Sequence, residues 1–401
     1  MLVTKIRSCT GRTCGVFKQA NRSMSMQAYL ENIGHLAPYG ALLFLYLLLS
    51  FHSELFKNRL FAVPALGALL LFAGCREAMT PDLEHYQMLY QAFDSASLDL
   101  TFIEPSFLFL CKSLNALGFD YHALFFVYSF VTLVFVYLGI KNSTGHVKLS
   151  LLLYVLIPSC FLNMFVEMRE VCAIAIVLYA MSLLGREDKF TLSRILGFGI
   201  LSVLFHYSAL VYWAIFLTLY KVIKRTHSNA THLLLIISTL FIPASTLSAI
   251  LQTVAFPLVP PKYQAYVELF TGQDAVADPA QLLKSLTYVL LAICFVYWRS
   301  PARNKEADPV PLNLFVLGVL LLNLSRSNPV FSRVAYYFLI NQIVLFPECV
   351  ARITGAFKRL TATYGLVLFY LAQFVWGLFY FSPDEGYVFL HYQNAIISAL
   401  K

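Results

Sequence analysis

Only 12% of this 401-residue chain is charged, so the few places where charge gathers carry the argument. In "CREAMTPDLEHYQMLYQAF", residues 75–93, Arg76, Glu77, Asp82, Glu84 and His85 crowd into ten positions, and Tyr86 and Tyr90 follow at helical spacing. A guanidinium fork can hold a phosphate, a carboxylate can accept a proton, and tyrosine rings can stack on sugar faces. The Asp82–Glu84 spacing raises the question of a divalent cation, but there is no D-x-D and no His pair, so no metal is expected.

Four further stretches add reactive groups. "FIEPSFLFLCKSLNALG" brings Glu104 ahead of Pro105, at the head of an apolar segment too broken to span a bilayer. "NMFVEMREVCAIAI" sets Glu167, Arg169 and Glu170 in a tight turn between apolar runs, where charge is costly and usually faces a cavity. There Arg169 either pairs locally with Glu167 or Glu170 or binds a phosphate. "VLFHYSALVYW" puts His206 in the middle of residues 192–220, an otherwise nearly unbroken apolar run. That histidine is either satisfied by a backbone carbonyl or acts as a donor or general base inside the bundle. "NLSRSNPVFSRVAYYF" holds Arg326 and Arg333, seven apart, with Tyr336 and Tyr337 after them. Two such arginines call for an anion, either lipid headgroups or a bound diphosphate.

The elements that position these groups follow from hydropathy. With 59% hydrophobic and 15% aromatic residues, and apolar runs recurring throughout, the composition implies an all-α, polytopic integral membrane protein. About twelve spans are expected, near 35–52, 60–74, 119–140, 149–166, 170–185, 194–205, 208–222, 231–252, 282–298, 311–324, 333–350 and 361–382. The run 192–220 is split at "FHYSA", because a polar group at that depth marks a break or cavity. Alternate loops hold 16 basic residues against 7 in the other set, which turns the first set toward the cytoplasm. Fourteen of the 21 acidic residues then face outward, in the loops that carry the reactive stretches.

The basic segment 1–34 disagrees with that orientation. Residues 1–23 are expected to be a disordered tail or an over-extended start, since Met24 and Met26 lie just downstream. Residues 35–382 would form one bundle with outer loops 75–118 and 253–281, followed by an outer tail at 383–401. "PDLEHYQMLYQAF" reads as a short helix whose Tyr86, Leu89, Tyr90 and Phe93 stripe lies on the bilayer or lines a headgroup-level pocket. The eight cysteines form no C-x-x-C pair and read as small buried hydrophobes. The net charge of +8 follows from the cytoplasmic loops and calls for no nucleic acid. There is no Walker loop or nucleotide fingerprint, so no cofactor is expected, and energy must come from an activated donor or an ion gradient.

In order and spacing, "REAMTPDLEHYQMLYQAF", "EPSF", "MREVCAIAI", "FHYSALV" and "SRVAYYF" resemble the EpsG family, which is grouped with Wzy-like polysaccharide polymerases. The sequence departs from the family pattern at Leu83 and Glu84, which separate Asp82 from His85–Tyr86, and at Glu170, where Gln is commoner. The resemblance implies a multi-pass enzyme of the bacterial inner membrane that joins polyprenyl-diphosphate-linked oligosaccharide repeats into exopolysaccharide, capsule or O-antigen. A chain-length regulator is an implied partner. It also implies catalytic roles for Asp82, Glu104 and His206. Substrate would be held by Arg76, Arg169 and Arg333, with Arg326, Tyr86, Tyr90 and Tyr337 beside them. The rival readings are a flippase or transporter of lipid-linked sugars, and a membrane ligase or acyltransferase.

Overall fold

A computed structural model describes residues 35–55, 62–77, 80–92, 103–184, 191–243, 279–298, 308–326, 329–379, 381–382 and 386–399. The expectations for 1–34, for most of the loop 253–281 and for Phe93 fall outside these residues. The described chain is helical: α1 (Ala37–Leu55), α2 (Ala62–Gly74), α3 (Pro81–Gln91), α4 (Pro105–Ala116), α5 (Tyr121–Ser143), α6 (Val147–Leu156), α7 (Met168–Ser182), α8 (Thr191–Phe205), α9 (Ser208–Ile223), α10 (Asn229–Phe241), α11 (Pro279–Trp298), α12 (Val310–Leu324), α13 (Pro329–Leu339), α14 (Gln342–Ala351), α15 (Ala356–Leu378) and α16 (Ala395–Ala399). The one exception is a minimal antiparallel ladder pairing Phe381–Ser382 with Gly386–Tyr387.

Helix length is consistent with a membrane protein. Among the described residues, three helices are long and apolar enough to cross a membrane: α5, the Gln281–Trp298 part of α11, and α15. The pair α13–α14, bent by 40° at its junction, makes a fourth if it counts as one span. Seven more apolar helices run only 10–17 residues, below the roughly 20 that a 30 Å hydrocarbon layer asks for. Local chemistry explains several of the short lengths. The segment 149–166 ends its helix at Leu156, before Pro158, and resumes as a 3-10 turn over Leu162–Phe165. The segment 333–350 breaks at Ile340–Asn341. The outward faces of α1, α8, α10 and α15 carry exposed Phe44, Ile200, Phe241 and Trp376. Large apolar side chains left open on many helices are what a membrane protein presents to lipid.

At the centre stands α7, nearly all of it buried, packed chiefly on α5 and α8. Gly139 lets α5 approach α7: a Cβ there would sit 2.9 Å from Leu178. Gly318 does the same for α12 against Leu339 of α13. Small residues at such crossings are how apolar helices pack when lipid offers no hydrophobic drive.

The amphipathic helix α3 starts where its sequence says. Thr80 caps it by accepting the Leu83 amide at 3.2 Å, Pro81 opens it, and Asp82 and Glu84 suit its first turn. Its aromatic stripe corrects both expectations for it, because it faces neither lipid nor an open pocket. Tyr86, Leu89 and Tyr90 are buried in a satellite core with Phe107, Phe125, Tyr128 and Met168. Tyr90 donates its hydroxyl to the Phe119 carbonyl at 2.7 Å, a packing role.

Arg76 is also part of the framework. It is 0% exposed, donates to the carbonyls of Ala73 and Met164 (the latter at 2.7 Å) and to Ser129 Oγ at 3.1 Å, and lies about 5 Å from the rings of Phe125 and Phe165. Its backbone pairs with Asn394 in an isolated antiparallel bridge. The segment 392–395 is thereby sewn to the end of α2: Tyr392 stacks on Phe72 at 4.1 Å and donates to its carbonyl, and the Ala395 amide donates to Cys75 O at 2.7 Å. The substrate-binding role expected for Arg76 gives way to one of joining α2, α5 and the turn before α7. Arg76→Ala should therefore cost about 3 kcal/mol of stability, the upper scale for losing a charged group's hydrogen bonds and leaving buried acceptors unmatched. Thermal unfolding in detergent should show it; a residue that only held substrate would leave the melt unchanged.

Candidate functional site

Glu104 is the hub. It sits at the N-cap of α4, immediately before Pro105, in extended backbone that proline favours for its predecessor. It is 3% exposed, yet both carboxylate oxygens are engaged. Oε2 accepts from Arg169 Nη1, and Oε1 bonds His206 Nδ1 at 2.5 Å. Arg169 comes from the first turn of α7 and His206 from the break between α8 and α9. The guanidinium of Arg169 lies 4.8 Å from the Tyr86 ring centroid and 5.3 Å from that of Phe107, so both rings offer a cation–π contact to the charge. Burial by itself would push the Glu104 carboxyl up. The hydrogen bond from His206 and the positive charge of Arg169 more than offset this and hold it below the usual carboxylate range.

A second group adjoins the first. Arg333, in α13, bonds Glu167 Oε1 at 2.7 Å while its side chain stays 43% exposed. Asp82, half-buried in the first turn of α3, places its charge near both Arg333 and His85. The imidazole of His85 is lowered below its ordinary value by burial and then by the charge of Arg169, with Asp82 opposing. Glu170 is 2% exposed and is approached by Ser208 Oγ at 3.4 Å; Ser208 in turn meets the Tyr337 hydroxyl at 2.9 Å. Lys284 donates to the Tyr336 hydroxyl, sits 4.6 Å from its ring centroid and lies within reach of the Glu167 charge. Asp82, Glu104, Arg169 and Ser208 all stand at helix N-terminal ends, where partial positive charge and free amides favour an anion.

The structure thus brings together Asp82, Glu104, His206, Arg169, Arg333, Tyr86 and Tyr337. It sets Tyr337, fully buried, beneath the site as a hydrogen-bond partner rather than a sugar platform. It keeps Arg76 and Tyr90 in the framework. Arg326 donates to the Ile242 carbonyl and closes the end of α10. The local pairing open to Arg169 is replaced by a pairing with Glu104, 65 positions away. Glu77 is bonded by Tyr121 at 2.9 Å and His122 at 3.1 Å. Sequence reading noted Tyr336 without a role and missed Ser208 and Lys284. Lys284 was detectable, being the one charge in the apolar run 281–298. Among the described residues no group of three or more His, Cys, Asp or Glu could hold a metal ion. A separate cavity of about 180 Å³ opens elsewhere, at the C-terminal ends of α5 and α14, lined by Asn142, Ser182, Asp308, Glu348 and Arg352. It contains none of the groups above.

The depressed carboxyl of Glu104 fixes a pH dependence. Above the ordinary carboxylate range the group is ionised whether folded or unfolded, and its bonds to Arg169 and His206 contribute in full. That contribution disappears as pH falls through the lower, folded-state value. A series of melting temperatures should show wild type above Glu104→Gln at neutral pH, with the gap closing on acidification.

The family model described as the EpsG family matches residues 59–394. No curated protein and no solved structure matches the chain. With that match covering most of its length, the chain belongs to the EpsG family.

Proposed function

We propose that this protein is a lipid-linked oligosaccharide polymerase, which transfers a growing glycan from a polyprenyl diphosphate to the acceptor sugar of another repeat, at the outer face of the bacterial inner membrane. The observation that carries the reading is the Arg169–Glu104–His206 triad beside a half-exposed Arg333. Glu104 accepts at Nδ1, which leaves Nε2 of His206 free to take a proton. Since both oxygens of Glu104 are occupied, His206 is the base and Glu104 its orienting partner.

In the reaction, the acceptor hydroxyl gives its proton to His206 Nε2 as its oxygen bonds the anomeric carbon. The bond from that carbon to the diphosphate oxygen breaks, and the diphosphate leaves with the electron pair. Arg333, exposed enough to change partner, neutralises the charge developing on the leaving group; Arg169 adds a fixed positive charge nearby. Asp82 orients Arg333 and His85 from α3. Family membership is compatible with this activity. A flippase would call for charge along the whole length of a translocation path, whereas the groups described here gather at one end of the helices.

The test is the length distribution of surface glycan on a gel, at matched protein levels. His206→Ala should cut polymerisation about 10²- to 10⁴-fold, the range for losing a general base. Arg169→Ala and Arg333→Ala should collapse the ladder to single repeats. Wild-type ladders in both His206→Ala and Arg169→Ala would defeat the assignment, and complete loss of surface glycan in a deletion strain would favour the flippase.

A further inference from the structure

Glu167 and Glu170 present a problem that the proposed reaction leaves unused. Each has one carboxyl oxygen, Oε2, that is buried and has no hydrogen-bond partner among the described residues. The two carboxyl groups lie three residues apart where α7 begins, within hydrogen-bonding reach of each other. A buried polar atom left unmatched is costly, and two carboxylates in contact cannot both remain ionised. One proton between them removes both costs, because the protonated group donates to the other.

The surroundings say which carboxyl keeps the proton. Glu167 is bonded by Arg333 at 2.7 Å, and Lys284 lies on its side. The hydrogen-bond partner of Glu170 is a hydroxyl, Ser208, backed by Tyr337. Arg333 reaches it only as a more distant charge, and Glu104, near Tyr337, has its own partners, Arg169 and His206. We infer that Glu170 is a neutral carboxylic acid whose O–H donates to Glu167, fixing that carboxylate against Arg333 as a positioning residue of the site. Rising pH removes the proton, adds a second negative charge beside Glu167, and ties Arg333 more firmly to protein carboxylates at the expense of an incoming diphosphate.

The catalytic consequence rests on the reading of Arg333 as the diphosphate-binding group; the protonation of Glu170 does not. Two experiments separate them. Infrared spectra of the substrate-free wild-type protein in nanodiscs, with isotope-labelled glutamate, should contain the carbonyl stretch of a protonated carboxyl at neutral pH. That band should disappear at high pH and be missing from Glu170→Gln. Absence of such a band from the wild type would overturn the inference whatever the protein's activity. In a polymerisation assay on purified protein, Glu170→Gln keeps the neutral donor and should retain wild-type turnover at neutral pH while losing the fall in activity on the alkaline side. An unchanged alkaline fall, or an inactive Glu170→Gln that melts like wild type, would overturn the positioning role. If wild type itself makes no polymer while the infrared band is present, the proposed function fails and the protonated Glu170 stands.

Discussion

A carboxylate at 3% exposure has to be matched by donors, and at Glu104 they come from two directions at once, the guanidinium of Arg169 and the imidazole of His206. Desolvating an ion costs several kcal/mol, so removing either partner would leave a penalty that nothing nearby could absorb. That requirement ties together parts of the chain with no local reason to meet: the N-cap of α4, the first turn of α7 and the interruption between α8 and α9. The interruption falls just after His206, whose amide still donates to the Ser202 carbonyl at 2.9 Å, and it gives Ser208 a helix start of its own.

Around this hub the cations differ in exposure and partners. Arg169 is mostly buried, paired with Glu104 and set against the rings of Tyr86 and Phe107. Arg333 is held by a single ion pair and remains partly open. A site that must stabilise charge appearing during a reaction benefits from both kinds, since preorganised dipoles need not rearrange and an exposed cation can follow a leaving group. The cations nevertheless come nearly balanced by Asp82, Glu104 and Glu167. An anionic ligand entering here would have to compete with protein carboxylates, and the protonation state of one acid would tip that competition.

Much of this was legible locally. The split at "FHYSA", the helix begun by Thr80–Pro81, and the Glu104–Pro105 start of α4 follow from residues within a few positions of each other. Pairings across long separations were not: Glu104 with His206 spans 102 positions, and nothing in either neighbourhood names the other. Arg76 shows the opposite failure. Its place in a dense cluster of charge signalled importance, but the same signal serves substrate binding and internal bracing, and only burial against Ala73, Ser129 and Met164 separates them. Helix length was less legible for a related reason: hydropathy registers apolar runs, while proline and polar breaks decide how far each run continues as helix.

The stitching of residues 392–395 onto the end of α2 has a consequence in time. Cys75 and Ala395 are hydrogen-bonded neighbours, yet the ribosome delivers them about 320 residues apart, some tens of seconds at ordinary synthesis rates. Through that interval the bracing of Arg76 is incomplete, while α5 and α7 are already available to pack. The emerging chain must therefore hold a provisional arrangement around a buried arginine until its distal segment arrives, and that segment acts as the final latch.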